Sequence, residues 1–482
     1  MAAGHENMEA KIDPVLSDIL DKASADMARL AETTGEVVVL AMIADNEAAY
    51  IGDVDGHARS SERRRIGQHV SLWRTAIGKA LAASLPYAAR ESLLDRLDNE
   101  QLADSGFPNR PALRAHLDLV HARGYAIEVD EFVSGISAVA APIIDRRGHT
   151  VAAIGIEGPS RRLPRAKLHE LGPAVIEATR SASLHAGGAP RPTSRSPRPS
   201  APPSPSVRLL VDTRNLIGEA PVYDAANDRL FWVDMYDPAI FRFDCKSREL
   251  VSFSSHEMVT ALALVPEGML VAAQSGLWLA DPNTGNLVRS LGHPESHIPT
   301  NRFNDGKCDS KNRFWVNTVD LGFAPKAGAL YRTEPGGGFV TMETGLSVPN
   351  GMGWSPDNRT MYLVDTAERT IYAYDFREGF GDISNRRVLV RIPDDAPGAP
   401  DGLAIDENGN IWVAMFDGWR ISQFSPAGAL LDEIVMPVPR PTSCAFGGQD
   451  NKTLFVTSAR IRVPEAMLKE APHSGAIFQI SL

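Results

Sequence analysis

Six times between residues 229 and 480 the chain repeats one short pattern: an apolar strand, a polar turn and a second apolar strand. The units are "DRLFWVDMYDPAIFRFD", "GMLVAAQSGLWLAD", "NRFWVNTVDLG…GALYRTE", "RTMYLVDTAERTIYAYD", "GNIWVAMFDGWRISQFS" and "KTLFVTSAR…GAIFQIS", with first strands beginning near residues 229, 269, 313, 360, 410 and 453. Steps of 40 to 50 residues with several strands per unit mark a β-propeller, in which no unit buries its apolar face alone and a ring of neighbours does. Six units predict six blades over residues 207–482. The strand "VRLLVD" at 207–212 has no partner in its own unit and is expected to pair with the last blade and close the ring.

Residues 186–206, "AGGAPRPTSRSPRPSAPPSPS", carry seven prolines and no large apolar side chain, so they read as an extended spacer outside any core. Ahead of it, residues 1–185 interleave helical periodicity ("DPVLSDILDKASADMARLAETTG", "TAIGKALAASLP", "YAARESLLDRLD", "RPALRAHLDLVHARG") with strand pairs joined by tight turns ("EVVVLAMIA" and "EAAYIGDV"; "GISAVAAPIID" and "TVAAIGIEG"). Tight turns imply antiparallel pairing, hence an α+β domain. The 482 residues suffice for two cores, and a formal net charge of -11 works against a nucleic-acid footprint. Cys245, Cys308 and Cys444 are odd in number and widely spaced, which gives neither a disulfide framework nor a thiolate zinc site. The N-terminus has no basic-then-apolar leader and no run is long enough to span a membrane, so a cytoplasmic setting is expected.

In a propeller, polar residues recurring at one phase of different blades converge on the central channel. Glu219 in "LIGEAPVYD", Arg302 to Asp305 in "NRFNDGKCD", Asn350 in "SVPNGMGWSPD" and Asp401 in "APDGLAIDENG" recur in this way. Singly, "PNG" and "PDG" are ordinary turns, Glu219 a solvated side chain, and Asp305-Gly306 a turn that braces its loop. Together, Glu219, Asp401, Asn350 and in one assignment Asn304 make an oxygen-only set suited to a hard divalent cation such as calcium, zinc, manganese or magnesium. Arg302 offers a planar fork for an anionic or oxygen-rich substrate. No GxSxG, HExxH or phosphate-cradling loop is present to support a serine hydrolase, zincin or NTPase.

Through "GEAPVYD" with the following "FWVD", "NRFNDGKCD", "PNGMGWSPD" and "PDGLAID", residues 207–482 resemble the senescence marker protein, regucalcin and gluconolactonase family. The resemblance implies a six-bladed propeller with one divalent metal on Glu219, Asn350 and Asp401, and substrate contacts from Arg302 and Asn304. Asp401 also matches the family's acid or base, and the implied reaction opens the ring of a sugar-acid lactone. Some members place a substrate-binding carboxylate where this chain has Gly322, with Asp320 two positions early, which leaves the choice of lactone open.

Residues 13–185 resemble the effector-binding domain of the IclR family of regulators through "LAETTGEVVVLAMIADNEAAYIGDV", "GQHVSLWRTAIGKALAASLP", "GYAIEVDEFVSGISAVAAPIID" and "GHTVAAIGIEGP". This implies a GAF-like domain that binds a small molecule and joins copies of the chain, with an effector pocket at Ala76, Ile77, Glu128, Ser137, Ala138, Gly155 and Glu157. An acid at Glu157 works against a simple carboxylate ligand. The helix-turn-helix domain of that family has no counterpart in the dozen residues ahead, so no direct DNA contact is expected. Two readings compete with the lactonase: an effector-responsive regulator, and a metal-binding protein without turnover.

Overall fold

The structure, a computed structural model, describes residues 14–56, 65–145, 148–185, 198–199, 201–204, 206–334 and 337–482. Asp13, expected to cap the first helix, and most of the proline-rich stretch lie outside the described residues. The chain divides into two compact units, Met1–Thr193 and Ser194–Leu482.

The first unit is built on one antiparallel sheet whose strands lie in the order His69–Val70, Glu47–Val54, Val37–Ala44, Thr150–Pro159, Ile136–Ile144, Ala126–Val129. The helix Ala76–Ala83 lies on the face formed by Val37, Val39, Ala41, Ala138, Ala140 and Ala153. Every residue of that helix is buried, and a Cβ on Gly78 would stand 2.4 Å from the Ser71 carbonyl, so its small side chains are what allow so close an approach. Thr75 caps it by accepting from the Gly78 N–H. Alternate strand residues, Val38, Val139, Ala141, Ile154 and Ile156, are equally buried, because helices Pro14–Thr34 and Arg165–His185 pack together over the other face. The strands therefore read as continuous apolar runs. The short helix Asn99–Asp104 and the strand Ala126–Val129 carry no such signal and are additions to the sequence reading.

Among the described residues the second unit comprises six four-stranded antiparallel sheets. Their innermost strands, Gly218–Asp224, Val259–Val265, Asn301–Cys308, Pro349–Trp354, Ala399–Ile405 and Pro441–Gly447, adjoin one another in cyclic order, the last against the first, which is the arrangement of a β-propeller. Val207–Val211 is the outermost strand of the sixth sheet, paired with Ile477–Ser481, so the N-terminal strand closes the ring as expected. One expectation is corrected. The apolar strands beginning near 229, 269, 313, 360, 410 and 453 are the second strand of each blade, and the innermost strand precedes each of them.

The reason is local. Each innermost strand takes one residue more than the strand it pairs with, at Glu219/Val222, Val259/Ala261, Phe303/Gly306, Pro349/Met352, Pro400/Leu403 and Pro441/Cys444. Such a bulge breaks the period-two alternation and re-aims the side chains it carries. Two further devices recur. Asp309 and Asp406 each accept from the indole N–H six residues on, Trp315 and Trp412, at 3.0 Å, fixing the turn into the second strand. Asp234 and Asp365, at the far end of that strand, accept backbone N–H groups of Leu216 and Ile217 and of Ser347 and Val348, pinning the segment that leads into the innermost strand.

Glycine at the bulges is required by the neighbouring blade. A Cβ on Gly351 would meet the Leu403 nitrogen at 2.4 Å and the Asp401 carbonyl at 2.7 Å. Gly351→Ala is expected to cost about 1–3 kcal/mol of propeller stability, read by denaturant unfolding. Gly379→Ala, whose Cβ meets nothing within 4 Å, is expected to stay within about 0.5 kcal/mol of the parent.

Candidate metal and substrate site

The bulges bring the polar residues together. Asn304, Asn350 and Asp401 occupy the same register, the first of two residues facing a single partner, in blades three, four and five. Glu219 stands one position earlier in blade one, followed by Ala220 at a φ of 48°, a left-handed conformation rare for a residue with a Cβ, whose N–H donates to Glu219 Oε2. Asp305 and Gly306, expected as a turn, lie within the strand Asn301–Cys308, and Asp305 Oδ1 accepts the Gly306 N–H at 2.6 Å.

Backbone groups left unpaired by the bulges are taken up across blade boundaries. Asn304 Nδ2 donates to the Pro349 carbonyl at 2.8 Å, and Asn317 links the Asp305 N–H (2.9 Å) to the Asn350 carbonyl (2.8 Å). Thr366 Oγ1 donates to the Pro400 carbonyl at 2.8 Å and accepts from Asn350 Nδ2 at 3.3 Å, while Thr442 Oγ1 donates to the Gly218 carbonyl. Each ligand candidate is thus held by a neighbouring blade as well as by its own.

Glu219, Asn350 and Asp401 retain only 8, 8 and 5% of their exposure. Burial first, then the Asp401 and Asp305 charges, push the Glu219 carboxyl well above its usual range. Burial and the Asp305 charge do the same to Asp401, which the Asn350 amide, donating through Nδ2 to Asp401 Oδ1, partly offsets. Burial also raises Asp305, against the opposing pull of Lys307. Among the described residues no Lys, Arg or His forms an ion pair with Glu219 or Asp401, and no three His, Cys, Asp or Glu side chains converge as a metal cage. What is present is two buried carboxylates and an amide with no cationic side chain paired to either acid; the Arg302 charge acts on Glu219 without offsetting its rise. That set fits a divalent oxygen-loving cation, whose charge would favour the ionised form of both acids against burial and their neighbours.

Arg302 is buried, and its Nη1 donates to the Phe303 carbonyl (2.7 Å) and to Asn304 Oδ1 (2.8 Å). The Tyr236 hydroxyl also bonds the guanidinium, and the Glu219 charge acts on it. The structure therefore brings Glu219, Arg302, Asn304, Asn350 and Asp401 together, and adds Tyr236, Lys307 and Asn317, which sequence reasoning left out; Asp305, expected only to brace its loop, also acts on Glu219 and Asp401 through its charge. Lys307 lies inside the polar run "NRFNDGKCD" but matches no residue at the same phase of the other quoted motifs; Tyr236 had no signal, since it lies in a different blade from the guanidinium it holds. Asp320 does not replace the carboxylate missing at Gly322: its Oδ1 accepts the N–H groups of Gly322 (2.8 Å) and Ala324 (3.1 Å) and so braces its own loop.

In the first unit, sheet register aligns Glu128, Ala138 and Glu157 in one row, with Gly155 in the next, on the face covered by helix Ala76–Ala83. Glu128 accepts the N–H groups of Ala76 (3.1 Å) and Phe132 (3.2 Å), and burial pushes its carboxyl up to about 7. Glu157 accepts from the Tyr50 hydroxyl at 2.5 Å and stands 3.5 Å from Arg65. Ile77 is buried in the covering helix. Ser137 is not part of this group. It alternates to the opposite face, where its hydroxyl donates to Ser160 at 2.9 Å.

Fold and site together define a β-propeller that gathers buried carboxylate, amide and guanidinium side chains from its innermost strands. The family model for the SMP-30/gluconolactonase/LRE-like region matches residues 217–460, and the chain belongs to that family. Residues 15–184 match the family model for the bacterial transcriptional regulator IclR C-terminal domain. Among relatives, YvrE of Bacillus subtilis (strain 168), named for the sugar lactone lactonases, is 35% identical over 57% of this chain and 94% of its own length. The 6-deoxy-6-sulfogluconolactonase of Pseudomonas putida is 32% identical over 57% of this chain and 94% of its own. The crystal structure of a calcium-binding protein, regucalcin, from Agrobacterium tumefaciens strain C58 superimposes with a TM-score of 0.54 and 27% identity, over 57% of this chain and 92% of that one.

Acids whose pKa is higher folded than unfolded bind protons more tightly in the native state, so the stability they contribute is fullest in acid and is lost as pH rises. Glu219, Asp305 and Asp401 are all raised, and burial with the Asp237 charge lifts Asp234 to about 7. In chelator, unfolding followed by tryptophan fluorescence, which reports the propeller because every tryptophan but Trp73 lies there, is expected to show stability falling from about pH 4 to about pH 7. A bound divalent cation is expected to flatten that slope.

Proposed function

We propose that the propeller hydrolyses the ring ester of a sugar-acid lactone, with one divalent cation held by Glu219, Asn350 and Asp401. The observation that carries this reading is the pair of buried carboxylates, Glu219 and Asp401, raised by burial and by neighbouring acids, with no cationic side chain paired to either among the described residues. The family membership and the named lactonases among the relatives support it. When bound, the cation would polarise the ester carbonyl and offset charge developing on its oxygen.

The chain's own residues do the rest. Asp401, its basicity raised by burial, accepts a proton from water as the water oxygen bonds to the carbonyl carbon. As the ring carbon–oxygen bond breaks, that proton passes to the departing oxygen, and the products are a free acid and a hydroxyl on one open chain. Arg302, steadied by Tyr236 and by Asn304, presents its remaining N–H donors to the sugar oxygens. With Gly322 in place of an acid, no second carboxylate selects for a particular hydroxyl on that side. We assign to the first unit the binding of a small molecule on the face carrying Glu128 and Glu157, or the joining of two copies of the chain.

A panel of five- and six-membered sugar lactones, followed by acid release with and without chelator, tests the proposal. Turnover is expected only with a divalent cation. Asp401→Asn is expected to lower kcat about 10²–10⁴-fold, while Arg302→Ala is expected to act chiefly on KM. No turnover on any lactone with calcium, zinc, manganese or magnesium overturns the reading.

A further inference from the structure

Beyond the ligands, the channel holds a second cation, half-buried, that the chemistry above leaves unused. Lys307 lies three residues past Asn304 on the strand Asn301–Cys308 of blade three. Its Nζ reaches past blade four to blade five and donates to the Leu403 carbonyl at 2.9 Å. Leu403 is the first residue to rejoin the ladder after the bulge that carries Asp401. The edge of an innermost strand has no ladder partner, so a carbonyl there needs a donor from elsewhere. From the other side Gly351 packs against the Asp401 carbonyl and the Leu403 nitrogen. The Asp401 bulge is thus gripped by blade four and tied across the channel by blade three.

We propose that Lys307 is a positioning residue of the metal centre, clamping the blade-five bulge so that Asp401 stays aimed at the position its cation would occupy. This rests on Glu219, Asn350 and Asp401 being the ligands. Two effects of removing Lys307 have opposite signs, which makes the proposal decidable. Losing its positive charge near the acid cluster favours a bound cation; losing the clamp releases Asp401 and disfavours one. The proposal requires the second effect to exceed the first, because the contact fixes the strand that carries a ligand, whereas the lysine charge acts on Asp305 and is not among the charges that shift Glu219 or Asp401.

The test is calorimetric titration of the full chain with calcium, manganese and zinc, each alone, using for the variants the ion the parent binds. Lys307→Met is expected to weaken binding about tenfold or more, and Lys307→Arg, which keeps both donor and charge, to recover to within about threefold of the parent. The melting temperature of Lys307→Met in chelator is expected to stay near that of the parent, separating clamp from general stability. Should Lys307→Met fail to fold, Lys307→Gln, whose amide is too short to span the channel, takes its place with the same expected weakening. Affinity unchanged or tightened in a folded variant overturns the proposal. A parent chain that binds none of the ions overturns the metal reading itself.

Discussion

One extra residue in each innermost strand is the constraint on which the rest of the propeller depends. A regular strand facing the channel would alternate its side chains between the two faces of its own blade and leave backbone edges bare. In blades three, four and five the bulge carries Asn304, Asn350 and Asp401 into one site, and groups along the ring's innermost strands are met across blade boundaries: Asn304 on Pro349, Asn317 on Asn350, Thr366 on Pro400, Thr442 on Gly218. Local irregularity and ring closure are therefore one arrangement, and the residues poised for chemistry are also those that hold neighbouring blades in register.

That arrangement has an electrostatic cost. Three acids, Glu219, Asp305 and Asp401, are carried into a buried channel where burial raises all three and Asp305 adds to the rise of the other two, and the cations beside them, Arg302 and Lys307, are engaged with Tyr236 and Leu403 rather than paired to Glu219 or Asp401. A protein selected for stability alone would replace such acids with apolar residues of similar volume. Their gathering around the bulges of three blades makes sense when a cation joins them, since a single divalent ion relieves both ligating carboxylates at once.

The repeat period made the ring of blades legible, because a 40 to 50 residue step leaves few alternatives once each unit holds paired apolar strands. The innermost strands were not legible as strands. Bulges remove their alternation, and "PNG" and "PDG" carry glycine where the next blade passes, "NDG" where the Phe314 ring of its own blade does, all of which read locally as turns. Recurrence across blades pointed to Glu219, Asn350 and Asp401 all the same, since a residue's phase in the repeat survives an error about its secondary structure. Tyr236 and Asn317 stayed hidden because their partners lie in other strands. Ser137 erred in the opposite way: being next in sequence to Ala138 does not place it on the same side of a sheet.

The same alternation limits what the first unit could hold. Glu128 and Glu157 share a row on the face under helix Ala76–Ala83, and each already has donors, from Ala76 and Phe132 in one case and from Tyr50 in the other. Burial lifts both carboxyls toward the neutral form, in which each offers a donor as well as an acceptor. Two cations temper that row: Arg65 stands 3.5 Å from Glu157, and the Lys79 charge pulls Glu128 down against burial. The row therefore presents acids, a tyrosine hydroxyl and cations together rather than acids alone.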